Sequence, residues 1–316
     1  MAGSAGQGGF MDRTNKHNLP ERWVRALGGL EQRPRRPRYR YGVTELVDAP
    51  LVRQLRIRHH DEIQEDVSDF LWAMYGQGVH GAMEDSADPN TLTEEKLTIS
   101  RQYNGIECTL VGVPDHYDSE EHSADYKTSK AFYMIYDPQG KPEHRNQLHV
   151  YRLMLHEHGF DVKSQSLDVL CRDWDARRAA KEDDYPQLAL NIIPVDVKPV
   201  EWIEDYVQKR LALHVEAESL DIEDVPQCTP GERWDKPTVY AVKKKTGSRA
   251  VRGGLHSDPL NAEAMVEDLG ADKHGVEVRL GERTRCQSWC SVSRWCPSYQ
   301  AYKQEQSKNP AEEAVV

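Results

Sequence analysis

The chain has 316 residues, 38% of them hydrophobic and 29% charged, and carries a formal net charge of −11. Such a composition describes a globular protein, either one large domain or a core with an appended module, and excludes a chain disordered throughout. The negative charge excludes a protein that coats nucleic acid by bulk electrostatics, and no apolar run approaches the ~18 residues of a membrane span.

The lead "MAGSAGQGGFMDRTNKHN" has no apolar signal core. It implies a flexible N-terminal extension over 1–40 and a cytosolic protein with no membrane partner. Within it, "NLPERWVRALGG" reads as a short helix closed by glycine. Basic runs capable of touching phosphate are "RPRRPRYR" with Arg53, Arg56 and Arg58, and "KKKTGSR" at 243–249. "VTELVDAPLVRQLRIR" predicts a helix with Thr44 as N-cap, interrupted or restarted at Pro50. From Asp61 to about Asp85, Ile63, Val67, Phe70, Leu71 and Met74 recur at helical spacing, with His80 and Glu84 on one face near the end.

Strands follow in "KLTISRQY", "IECTLVGVPDHYD" and "HSADYKTSK", the first two joined by an Asn-Gly hairpin turn. A helix over about 142–158 ends on Gly159. "SQSLDVLCRDW" and "QLALNIIPVDV" are two more strands. "PVEWIEDYVQKRLALHVEAES" is an amphipathic helix with Trp202, Ile203, Tyr206, Val207, Leu211 and His214 on its buried stripe. Beyond Asp221 come a hairpin, "TVYAVKKKTGSRAVRGG", a helix, "DPLNAEAMVEDLG", and a cysteine cluster. So little apolar surface implies a staple. The end, 304–316, reads as a disordered tail.

The chemistry sits in "VGVPDHYDSEEHSADYKTSK". Side chains alternate along a strand, so Asp125 and Lys127 share one face while Tyr126 points away. Asp115, closing the preceding strand, can meet Asp125 across a hairpin. Carboxylates of this kind hold magnesium or manganese, and a lysine beside the ion can orient water and offset transition-state charge. The alternative for each piece alone is plainer: a surface ion pair for Asp-x-Lys and a turn for Asp115.

Four elements appear in order: "GVHGAMED" with His80, "GVPDHYD" with Asp115, "ADYKTSK" with Asp125 and Lys127, and "QLHVY" with Gln147 and Tyr151. In that order they resemble the PD-(D/E)XK nuclease superfamily in its RecB-like branch. The resemblance implies His80, Asp115, Asp125 and the Tyr126 carbonyl as metal ligands, with Lys127 organising catalysis. It implies Gln147 and Tyr151 as supports that approach the DNA backbone. Glu84 is either an outer carboxylate or a surface residue.

Cys108 and Cys171 sit singly in apolar runs and read as packing residues. Cys228, Cys286, Cys290 and Cys296 lie in the last third. They resemble the four-cysteine iron–sulfur module that follows the core in AddB-type helicase–nucleases and CRISPR spacer-acquisition nucleases. The family's first cysteine usually lies upstream of the nuclease motifs, where this chain has "DAP". The close trio opens C-x3-C rather than C-x2-C. Four thiolates also suit zinc, and unligated cysteines are the remaining reading. "CTPGERW…YAVKKKTGSRAVRGG" further resembles bacteriophage members found among replication and recombination genes.

The expected architecture is an α/β restriction-endonuclease-like core, with a mixed central sheet flanked by helices, over 41–220, and a small cysteine-bound module over 221–303. The expected activity is that of a metal-dependent deoxyribonuclease, an exonuclease at DNA ends in recombination, repair or replication, in the host cytoplasm if phage-encoded. Recombination or replication proteins are possible partners, and an oligomer is possible. The rivals are a structure-specific or nicking endonuclease, and a catalytically silent DNA-binding or assembly protein.

Overall fold

Proline and glycine punctuate the structure, a computed structural model that describes residues 13–30 and 37–308. Helix α1 (Glu21–Gly28) starts after Pro20 and stops at paired glycines. Gly42 precedes α2 (Val43–Leu46), and Pro50 opens α3 (Pro50–Arg58) at its first turn, where a missing N–H costs nothing. Pro50 therefore restarts the helix, and Gly42 rather than Thr44 takes the N-cap position. The chain divides into two compact units, Met1–Asp221 and Ile222–Val316, and among the described residues it is a mixed α/β protein with eleven α-helices. No described helix is long and apolar enough to cross a membrane.

Three short strands come early in unit 1: β1 (Arg13–Thr14), β2 (Arg40–Gly42) and β3 (Glu65–Asp66). β1 pairs in parallel with β3, and Asp66 accepts from Thr14 Oγ1 and the Lys16 amide, each at 2.7 Å. Residues 13–30 of the expected flexible lead are thus folded; 1–12 and 31–36 lie outside the described residues. Arg33, Arg35 and Arg36 of the first basic run fall there too. Arg53 belongs to no phosphate track. Its guanidinium is buried, ion-paired to Glu218, with Nε 3.4 Å from Glu45 and the group 4.6 Å over the Tyr41 ring.

The long helix expected from Asp61 begins later, because a single turn over His60–Glu62 gives way to β3 and Asp66 then caps the Val67–Phe70 turn. α4 (Leu71–Asp85) follows, and none of its residues is buried.

β4 (Leu97–Tyr103) and β5 (Ile106–Gly112) form the expected hairpin. Its turn residues Asn104 and Gly105 both take positive φ, 46° and 76°. β5 also pairs in parallel with β2, giving the order β2-β5-β4. The second sheet, β6-β7-β8-β9, contains β6 (His116–Tyr117), β7 (His122–Ser129), β8 (Ser164–Cys171) and β9 (Leu190–Val195). β7 and β8 are parallel, so a crossover through α5 (Ala131–Tyr136) and α6 (Pro142–Glu157) joins them. The expected single central sheet is therefore two mixed sheets. The chain leaves one for the other at Gly112–Asp115, where Pro114 has no N–H to extend a ladder.

After α7 (Ala176–Ala179), α8 (Val200–Ala217) packs Ile203, Val207 and Leu211 with Leu110, Val150 and Met154 in the main core. Trp202, expected on that stripe, is 43% exposed. A β-carbon at Gly112 would stand 2.9 Å from both Tyr151 Cε1 and Val43 Cγ2, and 2.7 Å from Met154 Sδ. Gly112 thus lets α6 approach β5. Gly112→Ala should destabilise unit 1 by about 1–3 kcal/mol, read as a lower midpoint in urea unfolding; an unchanged midpoint would contradict this packing.

In unit 2, β10 (Asp235–Lys236) pairs with the distant strand β14 (Glu282–Arg283). β11 (Val239–Lys244) lies between β12 (Ala250–His256) and β13 (His274–Arg279), all antiparallel. α9 (Pro259–Leu269) packs on this sheet, with Ala262 buried. β13 was not expected, since "HGVEVR" is short and half polar. α10 (Thr284–Ser288) and α11 (Pro297–Lys308) flank the cysteines. The expected disordered tail is helical through Lys308, and 309–316 lie outside the described residues.

Candidate metal and thiolate sites

The hairpin between β6 and β7 pairs His116 with Ala124, so the next positions outward are Asp115 and Asp125. Asp115 Oδ2 accepts the Tyr126 amide at 2.7 Å, which ties it to the β7 backbone. α4 brings His80 over the same point: Nε2 lies 3.2 Å from the Tyr126 carbonyl oxygen and Nδ1 3.6 Å from Asp115 Oδ1. His80, Asp115 and the Tyr126 carbonyl, implied as ligands, are brought together.

A further carboxylate joins them. Glu94 Oε1 lies 2.9 Å from His80 Nδ1. Its loop is fixed by the Leu92–Tyr117 bridge and by the Glu94 amide, which donates to the Pro114 carbonyl at 3.1 Å. Glu94 takes φ of 50°, a conformation a non-glycine residue holds only when its surroundings impose it. His80, Glu94 and Asp115 each offer a ligand atom within 4.8 Å of the others. Sequence reasoning missed Glu94 because "TEEKL" has the look of any polar loop before a strand. Glu84 is exposed and stands outside this set.

Asp125 lies outside the 4.8 Å set but beside it. It is fully buried, with Oδ2 2.5 Å from Lys127 Nζ; the other group in hydrogen-bond reach is the Asp115 carboxyl, which can donate only when one of the two acids is protonated. Burial pushes its carboxyl up to about 6, with Lys127 opposing and Asp115 adding to the rise. Burial likewise raises Asp115, against the pull of Lys127 and His80. Two buried acids with raised pKa, repelling each other unless they share a proton, are what a cation would satisfy. The donors present, carboxylate, carbonyl and one imidazole, suit a hard divalent ion.

Gln147 and Tyr151 stand one turn apart on α6, and Gln147 Nε2 donates to Tyr151 Oη at 2.9 Å. Both are buried. Burial and the Asp125 charge together hold the Tyr151 hydroxyl protonated. These two line the back of the site rather than its mouth.

The site opens into a cleft of about 380 Å³ whose walls include His80, Lys127, Lys141, Trp72 and Tyr133. Two of its wall aromatics are open to solvent: Trp72 is 55% exposed and Tyr133 41%. Arg172 lies 4.2 Å over Trp72, and Lys141 Nζ 5.2 Å over Tyr133.

In unit 2 no disulfide joins the cysteines. Burial first, then the Glu232 carboxylate and the thiols of Cys296 and Cys286, push Cys228 up to about 12. Cys286 is raised to about 11 by burial and by Cys290 and Cys296. Cys228 is thus within electrostatic reach of Cys286 and Cys296, and Cys286 of Cys290 and Cys296. Their Sγ atoms do not gather as tightly as the 4.8 Å set in unit 1. Cys108 and Cys171 are buried elsewhere, in unit 1.

No protein-family model matches the chain, and no curated protein matches it. Among solved structures, the crystal structure of SSO0001 is a distant likeness, with 15% sequence identity and a TM-score of 0.42, covering 68% of this chain and 86% of that one.

Proposed function

We propose that unit 1 is a restriction-endonuclease-like core that hydrolyses DNA phosphodiester bonds with a divalent metal ion, acting as an exonuclease at DNA ends in recombination, repair or replication. The observation that carries this reading is the meeting of His80, Glu94, Asp115 and the Tyr126 carbonyl beside the buried Asp125–Lys127 pair, next to a cleft that His80, Tyr126 and Lys127 line. Magnesium or manganese held there would polarise the scissile phosphate and lower the pKa of a bound water.

The residues divide the remaining work. Asp115, Glu94 and His80 bind the ion, and Asp125 completes the acidic floor. Lys127, one strand position beyond the Tyr126 carbonyl, orients the attacking water and offsets phosphate charge. Tyr151, held by Gln147, stands behind Asp125 as a protonated, uncharged wall of the site. Trp72 and Tyr133 in the cleft wall offer exposed faces on which unpaired bases stack, which favours single-stranded or resected ends.

For unit 2, the reading is a [4Fe-4S] cluster on Cys228, Cys286, Cys290 and Cys296. A four-thiolate zinc site at Zn–S of about 2.3 Å would draw the sulfurs to about 3.8 Å of one another. Zinc on the same four thiolates is the alternative.

The test is incubation with 5′- and 3′-labelled single- and double-stranded DNA and closed circles under magnesium or manganese. Mononucleotides released from a free end are expected. Cutting of circles would establish the endonuclease rival, and absence of cleavage with every ion would leave a silent DNA-binding protein.

A further inference from the structure

Across the first turn of α6 from the catalytic cleft lies a second cavity, of about 450 Å³, that the nuclease chemistry does not use. The two share that turn as a wall. Asp137, Lys141 and His144 face the catalytic side, whereas Pro142, Arg145 and Asn146 face the other. The far wall of the second cavity carries Asp196, Lys198 and Trp202.

Its chemistry is cationic and aromatic in a chain of net charge −11. Arg145 is anchored at the rim, Nη1 donating to the Gln139 and Gly140 carbonyls at 3.0 and 2.6 Å. Lys198 Nζ lies 6.0 Å from the Trp202 ring centroid. Its one acidic neighbour, Asp196 at 3.5 Å, is 89% exposed, so that pair is weak and screened. α8 begins on Pro199 with no side-chain cap, leaving its first amides open to an anion, although Glu201 stands in the same turn.

Trp202 is a fixed platform. It is 43% exposed yet held parallel to Tyr206 at 5.9 Å and edge-on to His149 at 5.6 Å. Burial, opposed by a hydrogen bond with Gln165 and assisted by Lys198, Arg145 and Arg152, lowers His149 to about 4, so it stays a neutral ring beside Trp202.

We propose that this cavity binds a nucleoside phosphate, with the phosphate against Arg145 and Lys198 and the base stacked on Trp202. The nucleotide is either the next one of a strand leaving the catalytic cleft over the α6 turn or a free mononucleotide from solution. The in-strand source rests on the nuclease reading; the free one does not.

The test is binding by the full chain in EDTA, where cleavage plays no part. The probes are fluorescein-labelled dT12, read by anisotropy, and dTMP, read by calorimetry. Trp202→Ala and Lys198→Gln should each weaken dT12 about 10-fold, the scale of one stacked base (~1–3 kcal/mol). Lys198→Gln should also flatten the salt dependence. Weaker dT12 with dTMP unaffected identifies the in-strand source; weaker dTMP identifies the free nucleotide. Lys198 is a surface side chain, so its variant keeps the fold and remains informative if Trp202→Ala does not. Wild-type affinity for both probes in both variants, or no binding of either probe to the wild type, overturns the proposal. If the wild type cleaves nothing yet shows this binding pattern, the nuclease reading fails and the pocket stands; cleavage with unaltered variant binding means the reverse.

Discussion

Asp125→Asn should reduce cleavage by roughly a thousandfold, on the scale of removing one charge-stabilising group (~2.7–4 kcal/mol), while leaving the metal-free protein as stable as the wild type or more so. The reason is the same burial that raises the Asp125 carboxyl to about 6. A raised pKa means that the fold prefers the proton. That contribution to stability is complete below the unfolded value of 3.8 and is lost as pH rises through about 6. At pH 7.5 the carboxylate is a net cost that Asn removes.

Lys127→Ala should be as inactive but behave oppositely in stability. It strips the fully buried Asp125 of its 2.5 Å partner, and an uncompensated buried charge costs about 3–5 kcal/mol. The loss should be large at pH 7.5 and shrink toward pH 5.5 as Asp125 takes up a proton. Thermal melts of both variants and of the double variant at the two pH values check this. Equal destabilisation by both substitutions, independent of pH, would show that the pair is not coupled as described.

Cys228→Ser should unfold unit 2 while unit 1 keeps its own transition. Among the described residues, the buried hydrophobic residues beyond Asp221 are Val225, Ala241, Val242, Ala262, Val292, Cys286 and Cys296, two of them proposed ligands. Leu255, Leu260 and Trp289 are 57%, 69% and 63% exposed. So small a core does not carry a unit of this length alone, and thiolate coordination supplies folding energy on the order of 10 kcal/mol. Limited proteolysis should then cut between Asp221 and the C-terminus in the variant but not in the anaerobically purified wild type. A brown wild type with broad visible absorption is expected. Colourless protein with stoichiometric zinc would replace the cluster with zinc, and a variant as protease-resistant as the wild type would remove ligation altogether.

Legibility followed locality. The Asn104–Gly105 hairpin, α6 with its Gly159 stop at φ of 87°, and the alternation that sets Asp125 and Lys127 on one face are written in neighbouring residues. Tertiary decisions were not. Whether Trp202 is core or platform depends on what packs against α8, and helical periodicity alone assigned it to the core. Arg53 reads as one more cation in a basic run until Glu218, far along the chain, buries it. Glu94 enters the metal set because a loop bridges to Tyr117, which no short-range pattern announces. The break between the two sheets was partly visible in Pro114, but its consequence for strand order was not.

The most direct measurement is anomalous scattering from a crystal soaked in manganese. A peak is expected within ligand distance of His80, Glu94, Asp115 and the Tyr126 carbonyl, with Asp125 and Lys127 at its edge. Ordered manganese only elsewhere, with these groups left bonded to one another as in the metal-free chain, would contradict the account.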